Sequence, residues 1–338
     1  MKNNRTRLLT GIARILGFLA IVGVFCYILR GQDWSVLQAL NWQTLVLASA
    51  LIVLSYVASG VQYYASLRII GCTLTPFDVF FFPYMQSLWG VLIPIQGTSV
   101  FALFYLKRRY SFQMTQSVAM ILFLYLFNVI FGGLAGMVYV FCAETFSTML
   151  FVFSLAGILS PLFLYLFNML LLKYGGALPV PGRIRDAIIT FFQSFDLLFK
   201  DIRTLVVLLL LHVLHQLCRT LVFVILAKPL EPNAGFLWGY LVTVSQEISL
   251  ILRFTPGNLG VAQAVSGFVS HFTGIPMSIG LIVALIDSLL VLIQVFVLGG
   301  TGCFLALRKD AGMKTLWSQA KNANPPEGGD DDPPKACL

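Results

Sequence analysis

The chain has 338 residues, 58% of them hydrophobic and only 11% charged, with a formal net charge of +8 and a mean hydropathy of +0.88. So little charge cannot cover the surface of a soluble domain, which excludes that class and leaves an all-α polytopic membrane helix bundle. The basic residues fall in short runs between apolar segments, a pattern suited to cytoplasmic loops and anionic lipid headgroups and not to nucleic acid. The six cysteines are scattered singly, without CxxC or Cys/His ligand spacing; they read as small apolar residues, and no metal or other cofactor is implied.

A bilayer core takes about 20 apolar residues as helix. The basic start MKNNRTR leads into an apolar run too long for a cleaved signal and followed by no small-x-small site, so a retained first span is expected at 9–29. Further spans are expected at 43–67, 115–142, 147–172, 204–227 and 276–307. Two apolar regions are interrupted. Region 79–106 breaks at IPIQG, with Pro94, Gln96 and Gly97, and region 235–272 breaks at RFTPGNLG, with Pro256, Gly257 and Gly260. Between the halves, RIRDAIITFFQSFDLLFK (183–200) gathers Ile184, Ile188, Phe191, Phe195 and Leu198 on one face. It fits a helix lying in the cytoplasmic interface or a connector helix packed on the bundle. Residues 1–308 thus make one integral membrane domain, and the polar tail 309–338 with NPPEGGDDDPPK is expected to be disordered.

The positive-inside rule decides how the interrupted regions lie. Lys2, Arg5, Arg7 and Arg14 place the N-terminus in the cytoplasm, and one span later Arg30 lies outside and Arg68 inside. A full crossing by 79–106 would put Lys107, Arg108 and Arg109 outside, together with the basic loop holding Lys173, Arg183, Arg185, Lys200 and Arg203. A hairpin that enters and returns keeps both clusters cytoplasmic. The same logic makes 235–272 a second re-entrant hairpin, entering from the opposite face, with the C-terminus cytoplasmic as well. Paired broken segments in inverted topology are the arrangement of secondary transporters, whose sites lie where the breaks meet. The expected location is the cell membrane.

Proline and glycine at the breaks free backbone groups that hydrocarbon cannot satisfy, so such backbone lies against protein or a watery cavity. A helix resuming near Leu259 would aim its N-terminal amides inward, where they attract anions. His212, His215 and Arg219 share one face of a span, Glu247 and Arg253 belong to the second hairpin, and Asp287 to the last span. Each charge costs about 2.5–3.5 kcal/mol at mid-depth, so four unpaired ones approach roughly 10 kcal/mol. They must face a cavity or each other. One reading pairs Glu247 with Arg219 and Asp287 with Arg253 as structural glue; the other makes a polar cavity whose cations hold an anionic group. Asn128, Gln86, Gln246 and Gln294 fit interhelical hydrogen bonds, and Asn258 sits at the second break. The chain shows no nucleotide loop, metal cluster or GxSxG. Ser245 or Ser249 near His215 has no spacing to support a nucleophile pair, so no enzyme is expected.

At RFTPGNLGVAQA (253–264) the chain resembles the lysylphosphatidylglycerol synthase transmembrane family, the flippase-like membrane domain that also forms the N-terminal part of the multiple peptide resistance factor. Pro256, Gly257, Gly260, Val261 and Ala262 match its late motif, and LIPIQGTSVFALFYLKRR (92–109) is similar to its early one. Two positions depart: Gln263 and Thr98 stand where the family pattern has an acidic residue. The resemblance spans about residues 5–308 and implies a domain that handles or translocates phospholipid or polyprenyl-linked lipid. Without the soluble aminoacyl-transferring domain of longer relatives, the chain is not expected to synthesise aminoacyl lipid by itself.

The leading expectation is a flippase-like protein that translocates an anionic lipid, its headgroup held by Arg253 and Arg219, with Glu247, His215, His212, Asn258, Gln263 and Asp287 around it. The alternatives are a non-transporting partner that delivers lipid to a separate glycosyl- or aminoacyl-transferase, and a small-anion secondary transporter.

Overall fold

Asn41 opens the first described helix. Its Oδ1 accepts from the Thr44 amide at 2.7 Å and the Thr44 hydroxyl at 2.8 Å, satisfying donors that a helix start leaves without partners. This helix, α1 (Trp42–Ile69), stops where Gly71 takes φ 87°. The turn lets the Cys72 amide reach the Leu67 carbonyl at 2.9 Å and the Gly71 amide reach that of Arg68 at 3.2 Å, a glycine-terminated helix end. The computed structural model describes residues 40–93, 97–142, 148–174, 181–249 and 256–308. The expected span at 9–29 and the tail from 309 lie outside them.

Two short helices, α2 (Pro76–Leu92) and α3 (Gly97–Tyr110), form an antiparallel pair. Thr75 caps α2, and proline takes its first position, where no amide partner is needed. Fully buried Asp78 accepts from the Thr75 hydroxyl at 2.6 Å, the Tyr105 hydroxyl at 2.5 Å and Arg109 Nε at 3.1 Å, and also from the Tyr110 hydroxyl. The start of α2 is therefore tied to the end of α3.

The long helices α4 (Met114–Cys142) and α5 (Thr148–Tyr174) follow, then α6 (Gly182–Lys200). Phe195 and Leu198 of α6 pack with Phe123 and Phe127 of α4 and with Leu208 of α7 (Ile202–Ala227). The segment expected at 183–200 is thus a helix whose apolar face lies on the bundle.

A second antiparallel pair, α8 (Phe236–Ser249) and α9 (Val261–Phe272), is held by Trp238 Nε1 donating to Ser270 Oγ at 2.9 Å and Gln246 Nε2 donating to Ser266 Oγ at 2.8 Å. The last helix, α10 (Met277–Gln294), continues through a π turn at Val295–Gly299 to Arg308.

Five helices are long and apolar enough to cross a membrane: Trp42–Ile69, Met114–Phe141, Ser154–Leu171, Ile202–Ala227 and Met277–Arg308. They match the five expected spans that fall on described residues, and both interrupted regions break where expected. Two apolar cores sit at opposite ends of the bundle. One joins the base of the α2–α3 pair, through Phe82 and Leu106, to Leu67 and Ala306. The other joins the base of the α8–α9 pair, through Trp238 and Ile275, to Ala48 and Ala227. At the α1–α2 crossing a Cβ on Gly60 would lie 1.8 Å from the Val79 carbonyl oxygen. Only glycine allows that backbone-to-backbone approach, the way small residues bring membrane helices together.

Candidate functional site

The face of α7 carrying His212, His215 and Arg219 opens onto a cavity of about 280 Å³. Val91 and Thr98 of the first pair, Gly257 and Asn258 of the second, and residues of α1, α4 and α10 complete it. Residues flanking both breaks in the apolar regions therefore border one chamber.

One carboxylate holds Arg219 through a bidentate pair. Its Nη1 donates to Asp287 Oδ1 at 2.8 Å and its Nη2 to Asp287 Oδ2 at 2.8 Å, the fork-on-fork geometry that matches guanidinium to carboxylate. Its Cζ also lies 5.7 Å from the centre of the Phe223 ring. Glu247 meets His215 instead, with Nε2 and Oε1 3.3 Å apart. The other ring nitrogen, Nδ1, lies 3.1 Å from Ser59 Oγ and 3.1 Å from the Ser55 carbonyl oxygen on α1.

The expected partner of Arg219, Glu247, is thereby corrected to Asp287. The reason is the tight α9–α10 connection at Gly274, φ 76°, which folds α10 back so that Asp287 reaches α7. Arg253 lies outside the described residues, as do Pro94 and Gln96.

His212 is buried and faces aromatic rings, 5.5 Å from the centre of Phe127 and 4.8 Å from that of Phe131. Its Nε2 lies 3.3 Å from Gln216 Nε2, which can only donate, so this histidine nitrogen accepts.

Pro256 opens a single 3₁₀ turn ending at Asn258. Gly257 (φ 63°), Asn258 (φ 59°) and Gly260 (φ 86°) all take left-handed backbone, which explains two glycines and an asparagine in five residues. Asn258 Nδ2 donates to Ser249 Oγ at 2.7 Å, bracing the tip against the end of α8, while its buried Oδ1 has no partner among the described residues. Gln263 caps α9: its Oε1 accepts from the Gly260 amide at 2.6 Å and its Nε2 donates to Ser288 Oγ at 2.8 Å. One amide expected to face an anion at this helix start is therefore already satisfied within the protein. Gly97 is the first residue of α3.

Gln246 and Gln294 make the interhelical hydrogen bonds expected of them, Gln246 to Ser266 at 2.8 Å and Gln294 Nε2 to the Ser49 carbonyl at 3.0 Å. Asn128 borders the cavity with an unpartnered Oδ1. Sequence reasoning missed the α1 side of the chamber. Ser55, Ser59 and Gln62 follow four-then-three spacing along an apolar span, and that stripe was the available signal. It also missed Asp78, whose place behind Thr75-Pro76 marks a helix start and whose tyrosine partners lie 27 and 32 residues on.

A family model described as the lysylphosphatidylglycerol synthase TM region matches residues 14–299. No curated protein matches the chain, and no solved structure matches it.

Proposed function

The chain belongs to the lysylphosphatidylglycerol synthase transmembrane family, a multi-pass membrane protein with a lipid-related role, and from that premise we propose that it binds an anionic lipid headgroup in the charged cavity and moves it across the cell membrane. The lipid is a phospholipid or a polyprenyl-phosphate-linked one. The observation that carries this reading is the chamber itself, where Arg219, His215, Glu247 and Asp287 line one space between helices that are otherwise apolar. Acyl chains stay in the bilayer, so the protein needs to shield only the headgroup, the part whose transfer through hydrocarbon is costly.

In this reading both helix pairs are re-entrant and dip from opposite faces. Support comes from their bases, which belong to separate cores at opposite ends of the bundle, and from their tips, where a Cβ on Gly257 would lie 3.4 Å from the Val91 side chain. Arg219 exchanges Asp287 for the headgroup phosphate. Lys107 and Arg308 face the cytoplasm, as do both termini. The protein acts by binding and movement without covalent chemistry. The bidentate Arg219–Asp287 pair favours one second reading, a holder that presents lipid to a separate transferase.

Liposomes carrying labelled phosphatidylglycerol separate the two. Movement should be about tenfold faster than with Arg219→Gln/Asp287→Asn, since one charge-assisted hydrogen bond is worth about 1.5–3 kcal/mol. Equal rates overturn translocation through this site.

A further inference from the structure

His215 is bracketed by acceptors. Glu247 Oε1 lies 3.3 Å from Nε2, and the Ser55 carbonyl oxygen lies 3.1 Å from Nδ1. A carboxylate and a carbonyl can only accept, and the Ser59 hydroxyl at Nδ1 already donates to the same Ser55 carbonyl at 3.1 Å. With Glu247 as the carboxylate and the Ser59 hydrogen on the Ser55 carbonyl, each imidazole nitrogen has an acceptor to serve, an arrangement that an imidazolium fills. His212, one turn away with ring centres 6.1 Å apart, is the opposite case, because its Nε2 accepts from Gln216.

The charge balance follows. Among the described residues, the ionisable groups facing the chamber are Arg219, His212 and His215 from α7, Glu247 from α8, Asp287 from α10, Tyr56 and Tyr63 from α1, and Tyr125 from α4. From α6, apolar Phe195 and Leu198 pack against Leu208 of α7. With His215 protonated, the two cations among these groups meet two carboxylates. A phosphodiester entering it adds one negative charge in a low-dielectric space. When His215 turns to the phosphate, Glu247 loses its cation, and an unpaired carboxylate there takes a proton.

We propose that His215 and Glu247 form a proton-binding site, at which one proton enters the cavity with each anionic headgroup. No other bond forms or breaks: the proton comes from water and resides on the Glu247 carboxyl while the phosphate is bound. The anion's identity rests on the lipid reading above; the proton site rests on the hydrogen-bond geometry.

The test uses the full chain in nanodiscs of zwitterionic lipid, with dihexanoyl phosphatidylglycerol as probe. Calorimetry in buffers of different ionisation heat counts protons taken up on binding. About one proton per probe is expected for the native chain. Glu247→Gln, already neutral, should bind with near-zero uptake and an affinity independent of pH. Binding of the probe by the native chain without proton uptake overturns the proton site and leaves the lipid reading standing. Absence of probe binding at any pH overturns the lipid reading, and nitrogen-15 imidazole spectra then decide the proton site. The chain has three histidines, so His212→Phe/His271→Gln leaves His215 as the sole signal. Two protonated nitrogens there support the site; a bare nitrogen beside native Glu247 overturns it.

Discussion

Arg219 and Asp287 stand 68 residues apart and share two hydrogen bonds of 2.8 Å. Their side chains are only 12% and 3% exposed, so water screens the pair little and desolvation weighs on both ions. Removing one partner leaves the other charge buried alone. Asp287→Leu should therefore destabilise the protein by about 3–5 kcal/mol, and adding Arg219→Met should restore most of that loss. Unfolding in a denaturing-detergent titration measures both. A single variant as stable as the native chain would mean that the pair is fully solvated. His215 and Glu247 make a single, longer contact of 3.3 Å.

Among the helices, the α2–α3 pair is secured at one end. Asp78 receives hydrogen bonds from Thr75, Tyr105, Arg109 and Tyr110, and Arg109 also lies over the Phe77 and Tyr105 rings at 6.0 and 5.8 Å. The other end borders the cavity. Local stability should accordingly fall from base to tip. Asp78→Ala should raise hydrogen exchange of α2 and α3 amides at least about tenfold, equivalent to losing one such bond, with α7 amides unchanged. Uniform acceleration across the chain would instead make Asp78 part of the global core. The α8–α9 pair is braced through Trp238–Ser270, Gln246–Ser266 and Asn258–Ser249, a ladder of neutral bonds along its whole length.

At the scale of the molecule, the two pairs take their bases from opposite apolar cores, while residues flanking both breaks border one chamber. The proposed inverted arrangement, of the kind that alternating access uses, predicts sidedness. In a chain freed of its native cysteines, Lys107→Cys and Arg308→Cys should label from the same face, and Lys228→Cys from the other. Lys107→Cys labelling together with Lys228→Cys would turn the first pair into a full crossing and dismantle the inverted arrangement.

Membrane class, the five spans on described residues and both breaks were legible in the sequence, because hydropathy, helical period and the Pro/Gly demand for unusual backbone are local properties. The shared α7 face of His212, His215 and Arg219 was legible for the same reason. Which acid answers which base was not. Glu247 is 32 residues from His215 and Asp287 is 68 from Arg219, so those pairings depend on which helices pack against α7 and at what height. Tertiary structure alone decided them, and with them the Asp78 clamp. Charge compensation in a low-dielectric interior depends on distances across the bundle, and a linear sequence does not carry those distances.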